Sequence, residues 1–351
     1  MHFETEMDKK VNVAVVGATG EVGGVMLSLL EERDFPTAEV HAVASSRSAG
    51  KRIEFKAEEL VVKDLASFDF SGIAIALFSP GASVSAQHAP RAAAAGTVVI
   101  DNTSRFRYDD DIPLVVPEVN PAAIGQYAKR GIIANPNCST IQMVMALKPV
   151  YDAVGIERVN VATYQAVSGK GKKAIEELEQ QTIALFNGKP ALPMVHPRQM
   201  AFNVLPQIDV FQENGYTREE MKMVWETQKI LDDDAIRVNP TCVRVPVFYG
   251  HSEAVHIETK EKISAAEVRT LLDGFPGVVV IDEREDGGYP TAVTEASGHD
   301  PVFVGRIRED LSHPRGINFW VVSDNIRKGA ALNSVQIAEY LLKHFMAAYK
   351  G

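Results

Sequence analysis

Two hydrophobic periods alternate along the first third of the chain. Val11–Val16 is a nearly unbroken apolar run that predicts a strand, and Glu21–Glu32 places Val22, Val25, Met26, Leu29 and Leu30 on one face of a helix. Further strands are predicted at Val40–Ala44, Ile73–Phe78 and Thr97–Asp101, with an Ala-rich helix over Ser83–Ala95 and a short run, Gly131–Ala134, just ahead of a turn. Near-continuous apolar strands separated by helices predict a parallel, doubly wound sheet covered on both faces.

Beyond about residue 140 the rhythm changes. A helix from Ser139 to about Leu147 is expected to stop near Pro149, because proline removes a donor and crowds the preceding turn. Val159–Val167 predicts a strand, Lys172–Phe186 an amphipathic helix, and the proline-containing Ala191–Pro206 a loop. Thr217-Arg-Glu-Glu220 fits a capping box that opens a helix to about Leu231. Val243–Val247, Ala254–Glu258, Val278–Ile281, Val302–Ile307 and Ile317–Val322 read as strands of a second, mixed sheet. Ala330–Tyr349 is a long closing helix expected to return to the first domain. The expectation is an α/β protein: a doubly wound, Rossmann-like nucleotide-binding domain from residues 1–137 and 330–351, and an α+β domain with a mixed sheet from 138–329.

Composition narrows the class without adding chemistry. The 351 residues are 46% hydrophobic and 23% charged, ordinary for a globular protein, and the length allows two cores. A net charge of −10 argues against a nucleic-acid or anionic-membrane binder but leaves room for an anionic small substrate in a basic pocket. Two cysteines make no disulfide framework and suit a reducing compartment. The opening MHFETEMDKK is polar and acidic, unlike a secretory signal, and no apolar run reaches membrane-span length. A cytoplasmic protein is expected. No His/Cys/Asp cluster has metal-ligand spacing, so no metal site is expected.

Gly17-Ala-Thr-Gly20-Glu-Val-Gly23 follows the first strand and opens the first helix. Glycine permits the tight turn, and backbone N–H groups at the positive helix end suit a pyrophosphate. The spacing is G-x-x-G-x-x-G, not the commoner G-x-G-x-x-G; its place between strand and helix carries the reading, against a glycine turn with no ligand. The second strand ends in Ala44-Ser45-Ser46-Arg47, where a NAD site would carry an acidic residue for the ribose. Hydroxyls and a guanidinium suit a 2′-phosphate, so NADP is favoured.

Asn135-Pro-Asn-Cys138-Ser-Thr140 lies between a strand and a helix. A thiol at a helix N-terminus is stabilised as thiolate, and the helix N–H groups with the Asn137 amide are placed to bind an oxyanion. A small buried residue at a helix start would look the same by composition; the flanking residues and the nucleotide motif favour a nucleophile forming a thioester that accepts hydride. Cys242, in Thr241-Cys-Val-Arg-Val, reads as inert core.

His251, in Gly250-His-Ser252, is expected in a turn and is the candidate acid/base; the other eight of nine histidines carry no comparable motif. Arg105 and Arg107 follow the strand Thr97–Asp101, at the sheet edge where such folds bind ligands, and suit phosphate or carboxylate, with Arg107 equally readable as surface charge. Lys222, Glu226 and Lys229 share a helix face, by default a solvent ion-pair ladder. Arg244, on an alternating strand, needs a partner if buried, and a substrate carboxylate would serve.

Taken together, Gly17-Ala-Thr-Gly-Glu-Val-Gly23, Ser45-Ser-Arg47, Asn102-Thr-Ser-Arg-Phe-Arg107, Pro117-Glu-Val-Asn120, Asn135-Pro-Asn-Cys-Ser-Thr140, Gln165-Ala-Val-Ser-Gly169 and Arg244-Val-Pro-Val-Phe-Tyr-Gly-His-Ser252 resemble the aspartate-semialdehyde dehydrogenase family, from about Val11 to the last helix. The resemblance implies NADPH-dependent reductive dephosphorylation of aspartyl phosphate to aspartate semialdehyde, a step toward lysine, threonine, methionine and diaminopimelate. It implies Cys138 as nucleophile, His251 as acid/base and Gln165 beside the thioester. Arg105 and Lys229 would hold phosphate, Arg244 the α-carboxylate and Glu226 the amino group. Gly17, Thr19, Gly20, Glu21, Val22, Ser46, Arg47, Ser168, Gly169 and Asn325 would contact NADP. The resemblance further implies that the second domain is catalytic and builds a homodimer or homotetramer on its sheet. Two rival readings remain: another acyl-phosphate reductase, such as N-acetylglutamyl-phosphate reductase, and a non-catalytic NADP-binding sensor.

Overall fold

The structure is a computed structural model that describes residues 10–346. The N-terminal segment read above as unlike a signal falls, but for Lys10, outside the described residues, and so do residues 347–349 of the expected closing helix. The chain forms two compact units: one runs to Pro136 and resumes at Ala330, and the other is Asn137–Gly329. Among the described residues no helix is long and apolar enough to cross a membrane.

The first unit contains β1 (Val11–Val16), α1 (Glu21–Glu32), β2 (Thr37–Ala44), a hairpin of β3 (Arg52–Phe55) and β4 (Glu58–Val61), β5 (Lys63–Asp64), β6 (Ile75–Phe78), α2 (Ala82–Ala94), β7 (Val98–Asp101) and β8 (Ile132–Ala134). Six strands pair in the order β5-β2-β1-β6-β7-β8, all parallel. The strand order reverses direction between β1 and β6, so the loops at their C-terminal ends flank the crevice where open α/β sheets bind ligands. Val13, Val15, Leu29, Leu30, Ile75, Leu77, Ile100 and Ile133 fill one buried core, the reason the strands read as continuous apolar runs.

The second unit contains α3 (Cys138–Val154), β9 (Ile156–Gln165), α4 (Lys172–Phe186), α5 (Arg218–Leu231), β10 (Arg237–Arg244), β11 (His251–Thr259), α6 (Ala265–Asp273), β12 (Val278–Val280), β13 (Val302–Glu309) and β14 (Gly316–Ser323). Its sheet, β10-β9-β11-β14-β13-β12, is mixed: the outer pairs β10–β9 and β12–β13 are parallel, and the three inner pairs antiparallel. The chain then returns as α7 (Leu332–His344), whose Leu332, Val335, Ala338 and Leu341 join the first unit's core.

The structure departs from the sequence reading in several places. α3 runs through Pro149 to Val154. Ile141–Leu147 and Val150 are all buried, and that packing outweighs the roughly 3 kcal/mol cost of an interior proline. The strand expected at Val243–Val247 is β10, which ends at Arg244; Pro240 masked it, yet β10 is an edge strand, where proline is tolerated. β9 stops at Gln165, and Val167 begins a short 3₁₀ turn. His251 is the first residue of β11, not part of the turn before it. The hairpin β3–β4 and helix α6, with its Ser264/Glu267 capping box, were not anticipated.

Candidate active site

In the first unit, Gly17 has a φ of 90° and its N–H donates to the Val43 carbonyl at 2.8 Å. A Cβ there would meet the Ser79 carbonyl oxygen at 2.8 Å, and one at Gly23 would meet the Gly17 oxygen at 2.2 Å. Both positions therefore require glycine, one for the turn and the other for the seat of α1 against it. Gly20 is the N-cap of α1, and Glu21 and Val22 form its first turn. Thr19 Oγ1 donates to Ser48 Oγ at 3.4 Å, which places the glycine loop beside the turn that holds Ser46 and Arg47, both exposed. This cradle fits a dinucleotide: the glycine loop admits a phosphate close to backbone.

Arg105 lies in the loop after β7, stacked over Phe106 at 4.8 Å and 3.4 Å from Asp109. Arg107 is buried and donates to the Asn102 carbonyl at 3.0 Å, so it is part of the loop's framework and neither a surface charge nor an exposed anion ligand.

In the second unit, Cys138 is the first residue of α3, and Asn137 is the N-cap. Asn137 Oδ1 accepts from the N–H groups of Ser139 and Thr140 at 3.0 and 3.4 Å. Its Nδ2 donates to Glu219 Oε1 at 2.9 Å, and its backbone N–H donates to Glu226 Oε2 at 2.6 Å. The Asn137 amide, expected as an oxyanion donor, is thus engaged by Glu219: Asn137 caps the helix and anchors the turn of Cys138 to α5.

Glu219, which sequence reasoning missed, is the hub of the cluster. Gln165 Nε2 also donates to Glu219 Oε1 at 3.1 Å, and Lys222 Nζ lies 2.8 Å from Oε2. Burial alone would lift the Glu219 carboxyl, but the Lys222 ammonium and the hydrogen bonds from Lys222, Asn137 and Gln165 bring it down to about 2. It is an anion throughout the physiological range. Glu219 and Glu226 are seven residues apart on α5 and share a face, as do Lys222 and Lys229. The Glu-x-x-Lys pattern occurs twice, and the sequence cannot say which copy faces the thiol. The fold brings Glu219 and Lys222 to Gln165; Glu226 is buried under the Asn137 backbone, and Lys229 is half-buried one turn beyond it.

Gln165 ends β9, its Oε1 accepting from Thr163 Oγ1 at 3.0 Å, and its Nε2 sits 3.5 Å from His251 Nε2. His251 is fully buried, with the Ala166 N–H donating to its Nδ1 at 3.0 Å. Burial, reinforced by the Arg244 guanidinium, pushes the imidazole down to about 3. Resting His251 is therefore neutral, and the Ala166 donor leaves the ring proton on Nε2. Arg244, at the end of β10, is buried and donates to the Ala166 carbonyl at 2.7 Å. Burial lowers its pKa against the opposing pull of Glu219 and Cys138. A Cβ on Gly169 would lie 3.1 Å from Arg244 Nη1 and 3.3 Å from His251 Nε2, so this glycine keeps open the space both groups face. Asn325 Oδ1 accepts from the Gly250 N–H at 2.9 Å, and its Nδ2 donates to Ser168 Oγ at 2.9 Å. Cys242 is buried in β10, and burial pushes its thiol well up, as expected of inert core.

A half-exposed cysteine at a capped helix start, a fixed anion and cations, and a buried neutral imidazole describe covalent acyl chemistry. With a dinucleotide-type fold in the same chain, the class is an oxidoreductase acting on an acyl or aldehyde carbon. Comparison with known proteins gives the family. Residues 12–127 match the semialdehyde dehydrogenase NAD-binding domain and residues 147–328 the semialdehyde dehydrogenase dimerisation domain. The chain is 63% identical to the aspartate-semialdehyde dehydrogenase of Legionella pneumophila over 97% of its length and 98% of the relative's. It is 50% identical to that of Bacillus subtilis, covering 96% and 99%. The crystal structure of aspartate semialdehyde dehydrogenase II from Vibrio cholerae complexed with ASA superposes with a TM-score of 0.95 at 58% identity, covering 96% of this chain and all of the other. That of Candida albicans with NADP gives 0.73 at 27%, covering 95% and 98%. The chain belongs to the aspartate-semialdehyde dehydrogenase family.

Proposed function

We propose that this enzyme reduces aspartyl phosphate to aspartate semialdehyde and phosphate through a thioester on Cys138, with NADPH as reductant, as a homodimer. The observation that carries the reading is the contact set around the thiol: Asn137 and Gln165 share one carboxylate, Glu219, with Lys222 on its other oxygen.

Cys138 Sγ attacks the acyl carbonyl, and the C–O bond to phosphate breaks. Departing phosphate is assigned to Arg105 and to Lys222 in place of Lys229, because Lys222 belongs to the cluster around Gln165. Arg244 takes the substrate α-carboxylate, a buried guanidinium that needs an anion. The α-ammonium is assigned to Glu219 in place of Glu226, because Glu219 is held at Gln165 and stays anionic, whereas Glu226 lies under the Asn137 backbone. Gln165, fixed from both ends, orients the acyl group. The nicotinamide supplies hydride when bound. His251 Nε2–H donates to the oxygen that becomes anionic at the thioester carbon and steadies it until the C–S bond breaks. Gly17, Gly20 and Gly23 with Arg47 are assigned to NADP, and the Candida albicans relative carrying NADP supports that assignment. Homodimer formation is supported by the dimerisation-domain match.

The test is an absorbance assay with aspartate semialdehyde, phosphate and either dinucleotide. Phosphate-dependent NADPH formation that disappears in Cys138→Ala, while NADP still binds, is expected. Turnover by the alanine variant would overturn the mechanism. Preference for an N-acylated substrate over the free amino acid would instead favour the N-acetylglutamyl-phosphate type of reductase.

A further inference from the structure

Glu253 is a buried ionisable group that the chemistry above does not use. It stands two residues beyond His251 on β11, so both side chains point to the same face of the sheet, and both are fully buried. α3 packs against this strand, and Cys138 and Gln142 lie one turn apart on the same face of that helix. Ser323, the β14 partner of His251, donates to Gln142 Oε1 at 2.8 Å. Gln142 Nε2 acts on the Glu253 carboxyl without reaching hydrogen-bond geometry, so that nitrogen and both carboxyl oxygens are buried without a hydrogen-bond partner. On its other side Glu253 pairs in register with Thr163, the donor to Gln165.

We propose that Glu253 is a positioning residue which, as an uncharged acid, acts through Gln142 to set the turn of α3 that carries Cys138 against His251. The inference rests on the thioester reading above. A carboxylate at this position would sit without a cation in the interior, and burial pushes the carboxyl well above its ordinary range against the weaker effect of Gln142. A neutral acid offers Gln142 Nε2 an acceptor and adds no charge.

Glu253→Gln keeps size and neutrality, and it should hold kcat within about threefold of wild type with an unchanged pH profile. Glu253→Leu and Gln142→Leu should each lower kcat by about tenfold or more, with KM for semialdehyde and NADP within about twofold. Both should slow alkylation of Cys138 by iodoacetamide. The double variant should lose little more than either single one, because both act through one contact. If Glu253→Leu does not fold, Gln142→Leu and Glu253→Gln carry the test. Unchanged kcat in the leucine variants, or a lost limb in the pH profile of Glu253→Gln, would overturn the proposal, the latter by showing a titrating group. Wild-type phosphate-dependent NADPH formation in the same assay keeps this failure distinct from failure of the thioester reading.

Discussion

At the scale of single residues, the site is built from burial as much as from charge. His251 is held neutral because charging it inside the second unit is costly, and its pKa falls from the usual 6.5 to about 3. The unfolded chain therefore binds a proton that the folded one refuses, so stability present above pH 6.5 is lost as pH falls toward 3. Glu219 works in the same direction lower down, its contribution present above 4.5 and lost as pH falls through about 2. Thermal melts from pH 7 to 4 should show wild type losing more stability than His251→Asn; parallel curves would contradict the buried neutral imidazole. Glu219→Gln should weaken semialdehyde turnover by about tenfold or more, since a hydrogen bond to a charged group contributes roughly 1.5–3 kcal/mol. An equal or larger loss of turnover for Glu226→Gln, with Glu219→Gln near wild type, would reverse that assignment. Arg47→Ala should raise KM for NADPH by about tenfold or more while leaving NADH little affected, checked by initial rates with both dinucleotides.

At the scale of elements, α5 shows how a local signal serves the chemistry. Thr217 Oγ1 accepts from the Glu220 N–H at 3.3 Å, and Glu220 Oε2 accepts from the Thr217 N–H at 2.6 Å. This closed capping box sets the N-cap at Thr217, two residues before Glu219. Thr217→Ala should lower stability by about 1 kcal/mol in urea titration, and a change well below that would show the cap to be redundant. The box was legible because it is local, and so was α1 with its glycine turn. Pro149 misled because proline's cost is local while its tolerance is tertiary: it is buried in a fully packed helix.

At the scale of the whole molecule, light scattering after size exclusion should give twice the chain mass; a monomer at micromolar concentration would remove the dimer from the proposal. The sequence by itself determined two kinds of feature. Hydrophobic period and glycine placement specified the doubly wound sheet and the glycine turn of its first helix, and the Asn-Cys-Ser-Thr segment marked the proposed nucleophile. These depend on neighbours within a few positions. What only the tertiary structure decided was which far-apart side chains meet. Asn137 and Glu219 are joined by folding alone, and so are Gln165 and His251. A helix with two equivalent Glu-x-x-Lys turns carries no internal mark of which turn faces the thiol. The packing of α5 against α3 and β10 supplies that mark, because it sets the helix's rotation and axial position.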